Sequence, residues 1–390
     1  MAAFGKPTGN PRPGAIGRLF SVVLVLIAAG TLVAMIALWP GDVDAPVSAG
    51  LAGDTERATV TSVTYEACPP PQTGQCGTAE ARLDSGPDAG ELTTLTLGGA
   101  GLEPELEPGD EVRVARAEGG PTAEATYTLV DFERRGPLLW LAIVFAALVV
   151  LFGRLRGALS LVGLAISLAV VVAFIVPAIL DGSAPLAVAI VGSLAIMLAT
   201  VSLAHGVGPK SLAAMLGTAV SLALVALLAL AFTNLAHITG LSSEEATILL
   251  QGGADVSLEG LLLAGIVIAA LGVLDDVTVS QASTVLALRA ANPEQGFREL
   301  YGAALRVGRD HVSATVNTLV LAYVGASLPL LLIFSSGEIG LVDAVSTELI
   351  AKEVVGTLVG SIGLIAAVPV TTALAAVLAT DTAADRAATP

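Results

Sequence analysis

Eight long apolar runs constrain the fold of this chain more than any other feature of its sequence. A helix needs about 20 apolar residues to cross a hydrocarbon core about 30 Å thick, and such runs recur along the 390 residues. The composition agrees, because 54% of the residues are hydrophobic and 13% are charged. We therefore expect an α-helical polytopic membrane protein with about eight transmembrane helices. The predicted spans are residues 19–39, 138–152, 158–180, 186–204, 211–236, 260–288, 312–334 and 354–378.

The basic residues between these runs predict the orientation of the spans. When the helices alternate from an inward N-terminus, Arg154 and Lys210 share one side of the membrane with the arginines that follow the sixth span. Basic loops stay in the cytoplasm, so we expect cytoplasmic termini, residues 1–18 and 379–390. Residues 19–39 are then an uncleaved anchor helix. A cleaved signal peptide is the alternative, although no small-x-small cleavage site follows the run.

Residues 41–136 form the one long polar segment, which separates the anchor helix from a predicted seven-helix membrane bundle, residues 138–378. Apolar and polar side chains alternate with period two in this segment, as is typical of strands, and Gly- and Pro-rich turn signals separate the runs. We expect an extracytoplasmic β domain of about four to six strands, most simply a small closed barrel. The alternating runs are residues 59–65, 91–97, 111–114 and 126–132.

Cys68 and Cys76 bracket a loop that contains Pro and Gly in this polar segment. Because the predicted topology places them outside the cytoplasm, where disulfides persist, we expect them to be paired. Two free thiols are the alternative. The domain itself is either a solvated cap that aids assembly, or a lid over the membrane core or a module that docks an envelope protein partner. The sequence leaves these readings open.

The charge and the small number of cysteines and histidines exclude several classes of function. With 18 Lys and Arg against 34 Asp and Glu, the net charge of −16 offers no basic surface for nucleic acid. The two cysteines and three widely spaced histidines match no metal-site pattern, and no cofactor is expected. The sequence also lacks a Gly-x4-Gly-Lys-Ser/Thr loop for the phosphates of ATP.

An acidic pair, Asp275 and Asp276, interrupts the sixth apolar run. Asp276 is 13 residues from Arg289, which is roughly 20 Å along a continuous helix and so near the middle of a bilayer. A carboxylate at that depth costs several kcal/mol unless it is paired, hydrated or protonated. The pair is therefore predicted to couple protons or ions. Hydrogen bonding that merely holds helices together is the alternative.

Polar side chains near the pair supply its predicted partners. On a helix, Ser280 shares a face with Asp276, whereas Asp275 and Thr278 point elsewhere. The seventh span runs back antiparallel, so side chains at matching depth on it are also candidates. When depth is counted from Arg309, Asn317 and Thr318 lie at about the depth of Ser280. Tyr323 lies at about the depth of Asp276. The predicted polar partners are Thr278, Ser280, Gln281, Asn317, Thr318 and Tyr323.

Asp310 and His311 occupy the predicted inner mouth of the seventh span. Asp310 fits the N-cap of a hydrated helix start. A role in proton movement is the alternative, since histidine titrates near neutral pH.

Two classes of function compete, and an enzyme is not expected. An intramembrane aspartyl protease needs carboxylates that face each other from separate helices, whereas both aspartates here lie on one helix. The first class is a transporter or proton-coupled permease-like machine, which moves an unknown small solute or ion across the lipid bilayer. The second class is a non-catalytic scaffold whose outer domain docks an envelope partner.

Three runs carry a family resemblance. They are LGVLDDVTVSQASTVLALRAANP (residues 271–293), GRDHVSATVNTLVLAYVGASLPLLLIF (residues 308–334) and VGSIGLIAAVPVTT (residues 359–372). In these runs the chain resembles the YibE/F-like family of bacterial membrane proteins, its actinobacterial branch in particular. The resemblance implies a multi-pass protein of the bacterial plasma membrane and supplies no reaction.

A weaker likeness concerns the order of elements around the acidic pair. The chain has, in this order, a glycine, a buried aspartate, an Arg-containing cytoplasmic turn and a span with a polar start. This order is similar to that of RND and SecD/SecF-type permeases, in which a buried aspartate takes part in proton coupling. The likeness implies Asp275 or Asp276 as the coupling carboxylate, and it extends over one bundle with a single outer domain.

Overall fold

The structure is a computed structural model and describes residues 14–41, 55–68, 75–98, 105–117, 126–242, 244–251, 253, 256–337 and 340–387. The chain divides into two compact units. One unit comprises Met1–Asp44 with Gly153–Pro390, and the other is Ala45–Phe152. Residues 138–152, which the sequence assigned to the bundle, belong to the second unit. The predicted N-terminal tail up to residue 13 and the last three residues lie outside the described residues.

Helices make up most of the described chain. They are α1 (Ala15–Ala37), α2 (Arg135–Val170), α3 (Val176–Leu180), α4 (Pro185–His205), α5 (Pro209–Leu235), α6 (Glu244–Gln251), α7 (Leu258–Ala291), α8 (Phe297–Ala326), α9 (Leu328–Ser336), α10 (Leu341–Ser346) and α11 (Glu348–Ala387). A π-helical turn, Val171–Ile175, joins α2 to α3.

Six helical segments of the described chain are long and apolar enough to cross a membrane, and the bent pair α8–α9 raises the number to seven at most. The six are α1, the segment Arg135–Leu180, α4, α5, α7 and α11. The predicted count of about eight is not confirmed, because the runs 138–152 and 158–180 fall within one segment of 46 residues. Its interruption is local, at Arg154 with φ 52° and ψ −132°, and apolar composition alone does not reveal such a break.

Helices α5, α7 and α11 form the centre of the first unit, where small residues allow close approach. Gly217 of α5 packs against Thr371 of α11, and Gly363 of α11 packs against Val225 of α5. The two pairs fix an antiparallel register between α5 and α11. Lipid is as apolar as the side chains, so no hydrophobic effect holds membrane helices together. Close packing of their backbones at small residues does so instead.

Helix α4 lies beside α7 and runs parallel to it. Pro185 packs on Gly260 near the start of both helices, and 15 residues further along each chain Thr200 contacts Asp275. Helix α1 completes this unit by packing on α4, α5 and α11, and the backbone N–H of Gly17 donates to the Asp381 carboxylate over 2.9 Å.

The second unit contains one antiparallel sheet of five strands. The strands are β1 (Thr55–Ala67), β2 (Gln75–Leu83), β3 (Leu92–Leu97), β4 (Glu111–Ala117) and β5 (Thr126–Phe132), in the order β3-β2-β1-β4-β5. The edge strands β3 and β5 also contact each other, so the sheet curls as in a small barrel. Alternate side chains such as Val60, Leu95 and Val112 fill its interior.

A disulfide joins Cys68 to Cys76 with a Cα–Cα distance of 4.8 Å. It joins the two strands at the end of the β1–β2 pair next to their connection in sequence, where Glu66 lies opposite Cys76. The bond therefore fixes the register of these two strands at the point where their hydrogen bonds end.

Candidate functional site

The acidic pair lies in the middle of α7, a helix of 34 residues. Complementary groups fix both ends of this helix. The Ser257 hydroxyl accepts a hydrogen bond from the Gly260 N–H at the start (3.1 Å), and Glu259 and Arg289 place negative and positive charge in the first and last turns. These charges match the helix dipole. The apolar sequence between them continues the helix through Asp275 and Asp276.

Asp275 is half-buried against α4. The Thr200 hydroxyl lies 3.4 Å from the Oδ2 atom of Asp275. The same hydroxyl is only 2.8 Å from the carbonyl oxygen of Ile196, so its single hydrogen points mainly to that carbonyl. The other carboxyl oxygen, Oδ1, is shielded from solvent and has no hydrogen-bond partner among the described residues. Asp275 is thus a poorly satisfied carboxyl group.

A buried pair of hydroxyls lies next to Asp275, toward the C-terminal end of α7. Thr278 and Thr218 are both fully buried, and their hydroxyls lie 2.7 Å apart between α7 and α5. The Thr278 hydroxyl is also 3.2 Å from the carbonyl oxygen of Asp275. Three helices, α4, α5 and α7, therefore meet at one polar layer.

One turn further along α7, Gln281 extends this layer to α8 and α11. Its amide nitrogen donates to the carbonyl of Ala304 (3.0 Å) and to the Thr372 hydroxyl (2.7 Å). Thr372 in turn donates to the carbonyl of Val368 (2.6 Å). Both hydrogen bonds of the Gln281 amide nitrogen therefore join α7 to neighbouring helices.

Asp276 differs from Asp275 because its side chain is exposed on the surface of α7. The acidic residues are therefore not buried as a pair. Asp276 interacts electrostatically with His205 at the end of α4, and His205 Nδ1 is 3.3 Å from the Lys210 ammonium nitrogen. Ser280, one turn from Asp276, is exposed as well.

The end of α4 gives the depth of the acidic pair. Thr200, which contacts Asp275, is five residues from the last residue of α4, His205, a distance of about 7.5 Å along the axis. Helix α7 continues well beyond that end. Measured on α4, Asp275 therefore lies about halfway between the middle of that helix and its end, whereas the sequence count from Arg289 placed the pair near mid-bilayer.

The predicted partners on α8 lie elsewhere. Tyr323 lines a small cavity with Ile266 and Val273, which lie before the acidic pair on α7. Asn317 and Thr318 are exposed, and the Thr318 hydroxyl donates to the carbonyl of Ala314 on its own helix (3.0 Å). In the described part of the chain, no hydrogen bond joins these three side chains to Asp276.

Asp310 and His311 are exposed within α8. The helix begins at Phe297 with Gly296 as its N-cap, so the interpretation of Asp310 as an N-cap is wrong. Residues 297–309, before the predicted span, are helical too, so the span boundary inferred from hydropathy is not a helix boundary.

The sequence profile described as YibE/F-like protein matches residues 141–381, which is well over half of the chain. The chain belongs to this family. Comparisons with curated proteins and with solved structures gave no match.

The matched region of this YibE/F-like protein contains the whole polar layer around Asp275 and omits the five-stranded sheet. Thr200 and Thr218 belong to the layer although neither was predicted as a partner of the acidic pair. The only signal they carry is a hydroxyl within an apolar run, and many such hydroxyls bond to their own helix instead.

The described residues of this YibE/F-like protein contain no group of three or more His, Cys, Asp or Glu side chains that could hold a metal ion. The chemistry available at the polar layer is therefore that of one carboxyl group, several hydroxyls and an amide. Such a set can take up and release a proton at Asp275 and can hydrogen-bond a small polar solute.

Proposed function

We propose that this YibE/F-like protein is a proton-coupled, permease-like transporter in which Asp275 carries the proton. One observation carries the proposal: a carboxyl group in an apolar helix, half-buried, with one oxygen shielded from solvent and unpartnered among the described residues. Ionisable groups inside membrane spans are costly, and they commonly serve ion pathways and proton relays.

The hydrogen bonds around Asp275 support a protonated resting state. The hydroxyl hydrogen of Thr200 points to the carbonyl of Ile196, which leaves the hydroxyl oxygen facing Asp275. A protonated carboxyl can donate to that oxygen, whereas a carboxylate would meet an oxygen lone pair. Loss of the proton would turn the Thr200 hydroxyl from the carbonyl of Ile196 toward the carboxylate of Asp275 and favour a change in the packing of α7 on α4. Asp276, which is exposed, would exchange protons with the aqueous side.

We also propose eight spans in a bacterial plasma membrane, with Arg135–Leu180 counted as two and α8–α9 as one. A straight helix of 46 residues would extend about 69 Å, roughly twice the hydrocarbon thickness. This count places both termini in the cytoplasm and the sheet outside. Reporter fusions after residues 41, 182 and 340 should be active outside the cytoplasm, and fusions after residues 206 and 293 should be active inside. A fusion with the opposite sign would exclude this topology.

Proton flux into liposomes tests the transport proposal directly. The purified protein is reconstituted, a potassium diffusion potential is imposed with valinomycin, and internal pH is followed with a trapped dye. Asp275→Asn should abolish the protein-dependent flux, and Asp276→Asn should reduce it. Glu294→Gln, which neutralises an exposed carboxylate in the loop before α8, is the matched control. Wild-type flux in Asp275→Asn would refute the proposal.

A second candidate function is a scaffold without transport activity. It is favoured by the separation of the sheet: residues 45–152 form a compact unit with its own apolar core, and the family match begins only at residue 141. Such a domain suits the docking of an envelope protein. If deletion of residues 55–132 removed every cellular phenotype while Asp275→Ala removed none, the scaffold would replace the transporter.

A further inference from the structure

Asn317 was predicted as a polar partner of the acidic pair, but it lies on the exposed face of α8. Among the described residues its amide forms no hydrogen bond. The hydroxyls beside it differ, because Thr315 and Thr318 donate to carbonyl oxygens of their own helix (2.9 and 3.0 Å). An asparagine amide has two N–H donors and one oxygen acceptor, and the described part of the chain uses none of these.

Contacts between α8 and α11 give the depth of Asn317. Gly308 of α8 packs against Val368, and Leu319 of α8 lies beside Gly360, so Asn317 lies between the two contacts. On α11 both contacts fall inside an uncharged run of 27 residues, and each is at least six residues from an end of that run, about 9 Å along the axis. In the proposed topology, in which α8–α9 crosses the bilayer, Asn317 is therefore at hydrocarbon depth.

Asn317 belongs to an exposed stripe of α8 that has the spacing of a helix–helix interface. Ala314, Asn317, Leu321 and Val324 follow one another at intervals of three and four residues, and all four are exposed. The other side of α8 packs on α7 and α11. Intervals of three and four residues place side chains along one line, on which a second helix can pack at a shallow angle. We call these four residues the α8 seam.

Lipid accounts for the apolar residues of the α8 seam but not for Asn317. An amide that faces hydrocarbon without a hydrogen bond is costly, because lipid chains offer neither donors nor acceptors. Residues 138–152, the apolar run of the second unit, carry no side-chain acceptor for its N–H groups. The amide therefore needs a partner that presents both a donor and an acceptor at the same depth.

We propose that the α8 seam is a dimer interface, which packs against the same seam of a second copy of this chain. A two-fold axis along the membrane normal places two α8 helices in parallel at equal depth. Each Asn317 amide would then donate a hydrogen bond to the amide oxygen of the other copy. Ala314 would allow the two backbones to approach closely, and Leu321 and Val324 would pack against their counterparts.

Asp310 limits the interface toward the start of α8. It continues the spacing of the seam and is exposed, but it lies seven residues before Asn317, about 10 Å along the axis. Two carboxylates that face each other repel, so the helices would separate there and admit water. The dimer is therefore centred on Asn317.

The dimer rests on the proposed topology, in which α8–α9 is one span, and it does not require proton transport at Asp275. The reporter fusions after residues 293 and 340 test that span separately. A failure of the topology can therefore be told apart from a failure of the interface.

Cysteine crosslinking in native membranes tests the interface in the full-length protein. Leu321→Cys lies on the seam, and Ala322→Cys is the matched control, because both side chains are exposed but adjacent residues point about 100° apart. Cys68 and Cys76 are already joined to each other. Oxidation with copper phenanthroline should convert the Leu321→Cys variant, and not the control, to a product of twice the chain mass. Equal crosslinking of both variants, or a product of another mass, would overturn the proposal.

Replacement of the amide tests its contribution to the dimer. The dimer fraction of labelled protein is counted by single-molecule photobleaching in lipid vesicles as the protein-to-lipid ratio is lowered. Asn317→Leu should weaken dimerisation about tenfold or more, since two reciprocal hydrogen bonds are lost. Thr315→Val, which removes a hydroxyl bonded to its own helix, should dimerise as the wild type does. A monomeric wild type, or an Asn317→Leu variant that dimerises as well as the wild type, would refute the interface.

Discussion

The side chains of Thr218 and Thr278 are fully buried, and their hydroxyl oxygens lie 2.7 Å apart. Each is the nearest hydrogen-bonding side chain for the other across the interface of α5 and α7. The pair holds these central helices in register directly beside Asp275, so its loss should affect the stability of the bundle as well as the position of the carboxyl group.

A double-mutant cycle on this pair should show coupling. Thr278→Val leaves the Thr218 hydroxyl without its partner and should lower the free energy of unfolding by about 1 kcal/mol. Thr218→Val should have a similar effect. The double variant should be less destabilised than the sum of the two, because no orphan hydroxyl remains. Unfolding in mixed micelles by increasing SDS measures the three values, and strict additivity would show that the hydrogen bond is not formed.

The contact of Gly217 with Thr371 predicts a strong effect of side-chain size. A Cβ atom at Gly217 would overlap the Thr371 side chain, so Gly217→Val should force α5 away from α11. We expect a loss of about 1–3 kcal/mol, typical of overpacking, and a lower thermal midpoint in detergent. Gly265→Val on α7 is the matched control, because a Cβ at Gly265 meets no atom within 4 Å. Equal midpoints for the two variants would contradict the packing.

The membrane helices were largely predictable, because apolar runs long enough to span a bilayer have few other uses. Their ends were not. Depth on the seventh span was counted from Arg309, but α8 begins at Phe297, and Tyr323 lies beside Ile266 and Val273 instead of Asp276. A charged residue does not end a helix when the helix continues into a polar environment. Arg309 was therefore the wrong residue from which to count depth along α8.

The neighbours of Asp275 could not be predicted for a different reason. The contacts with Thr200 and Thr218 depend on the register between α4, α5 and α7, and the periodicity of one helix carries no information on its register against another. The sheet shows a related limit. Strand β2 was missed because small residues, Ala79 and Ala81, occupy its inward positions, and alanine gives only a weak alternation signal.

The disulfide gives a prediction about the thiol content of the protein and the stability of the five-stranded domain. The purified protein should show no thiol reactive to Ellman's reagent before reduction and two per chain after it, since its cysteines are Cys68 and Cys76. Replacing both by alanine should lower the free energy of unfolding of the five-stranded domain by about 2–3 kcal/mol, because the disulfide restricts the entropy of a short loop in the unfolded chain. Urea denaturation with a protease pulse measures this difference. Two reactive thiols in the unreduced protein would contradict the structure.

Tyr127 predicts how the five-stranded domain responds to alkaline pH. Burial raises the pKa of Tyr127 above its ordinary value of 10.0, and the hydrogen bond that it donates to Asp88 (2.6 Å) raises it further. The unfolded chain therefore loses this proton at lower pH than the folded domain does. The stabilisation is complete below about pH 10 and declines as pH rises above it.

Tyr127→Phe should separate this effect from the general effect of alkali. At neutral pH the variant loses one hydrogen bond and should be less stable by about 1 kcal/mol. Between pH 9 and pH 11 its stability should fall less than that of the wild type, because phenylalanine has no proton to lose. Urea midpoints from pulse proteolysis with subtilisin, which is active at alkaline pH, give both values. Parallel declines for the two proteins would mean that the Tyr127 proton is not linked to folding, since a shared decline would then come from other groups.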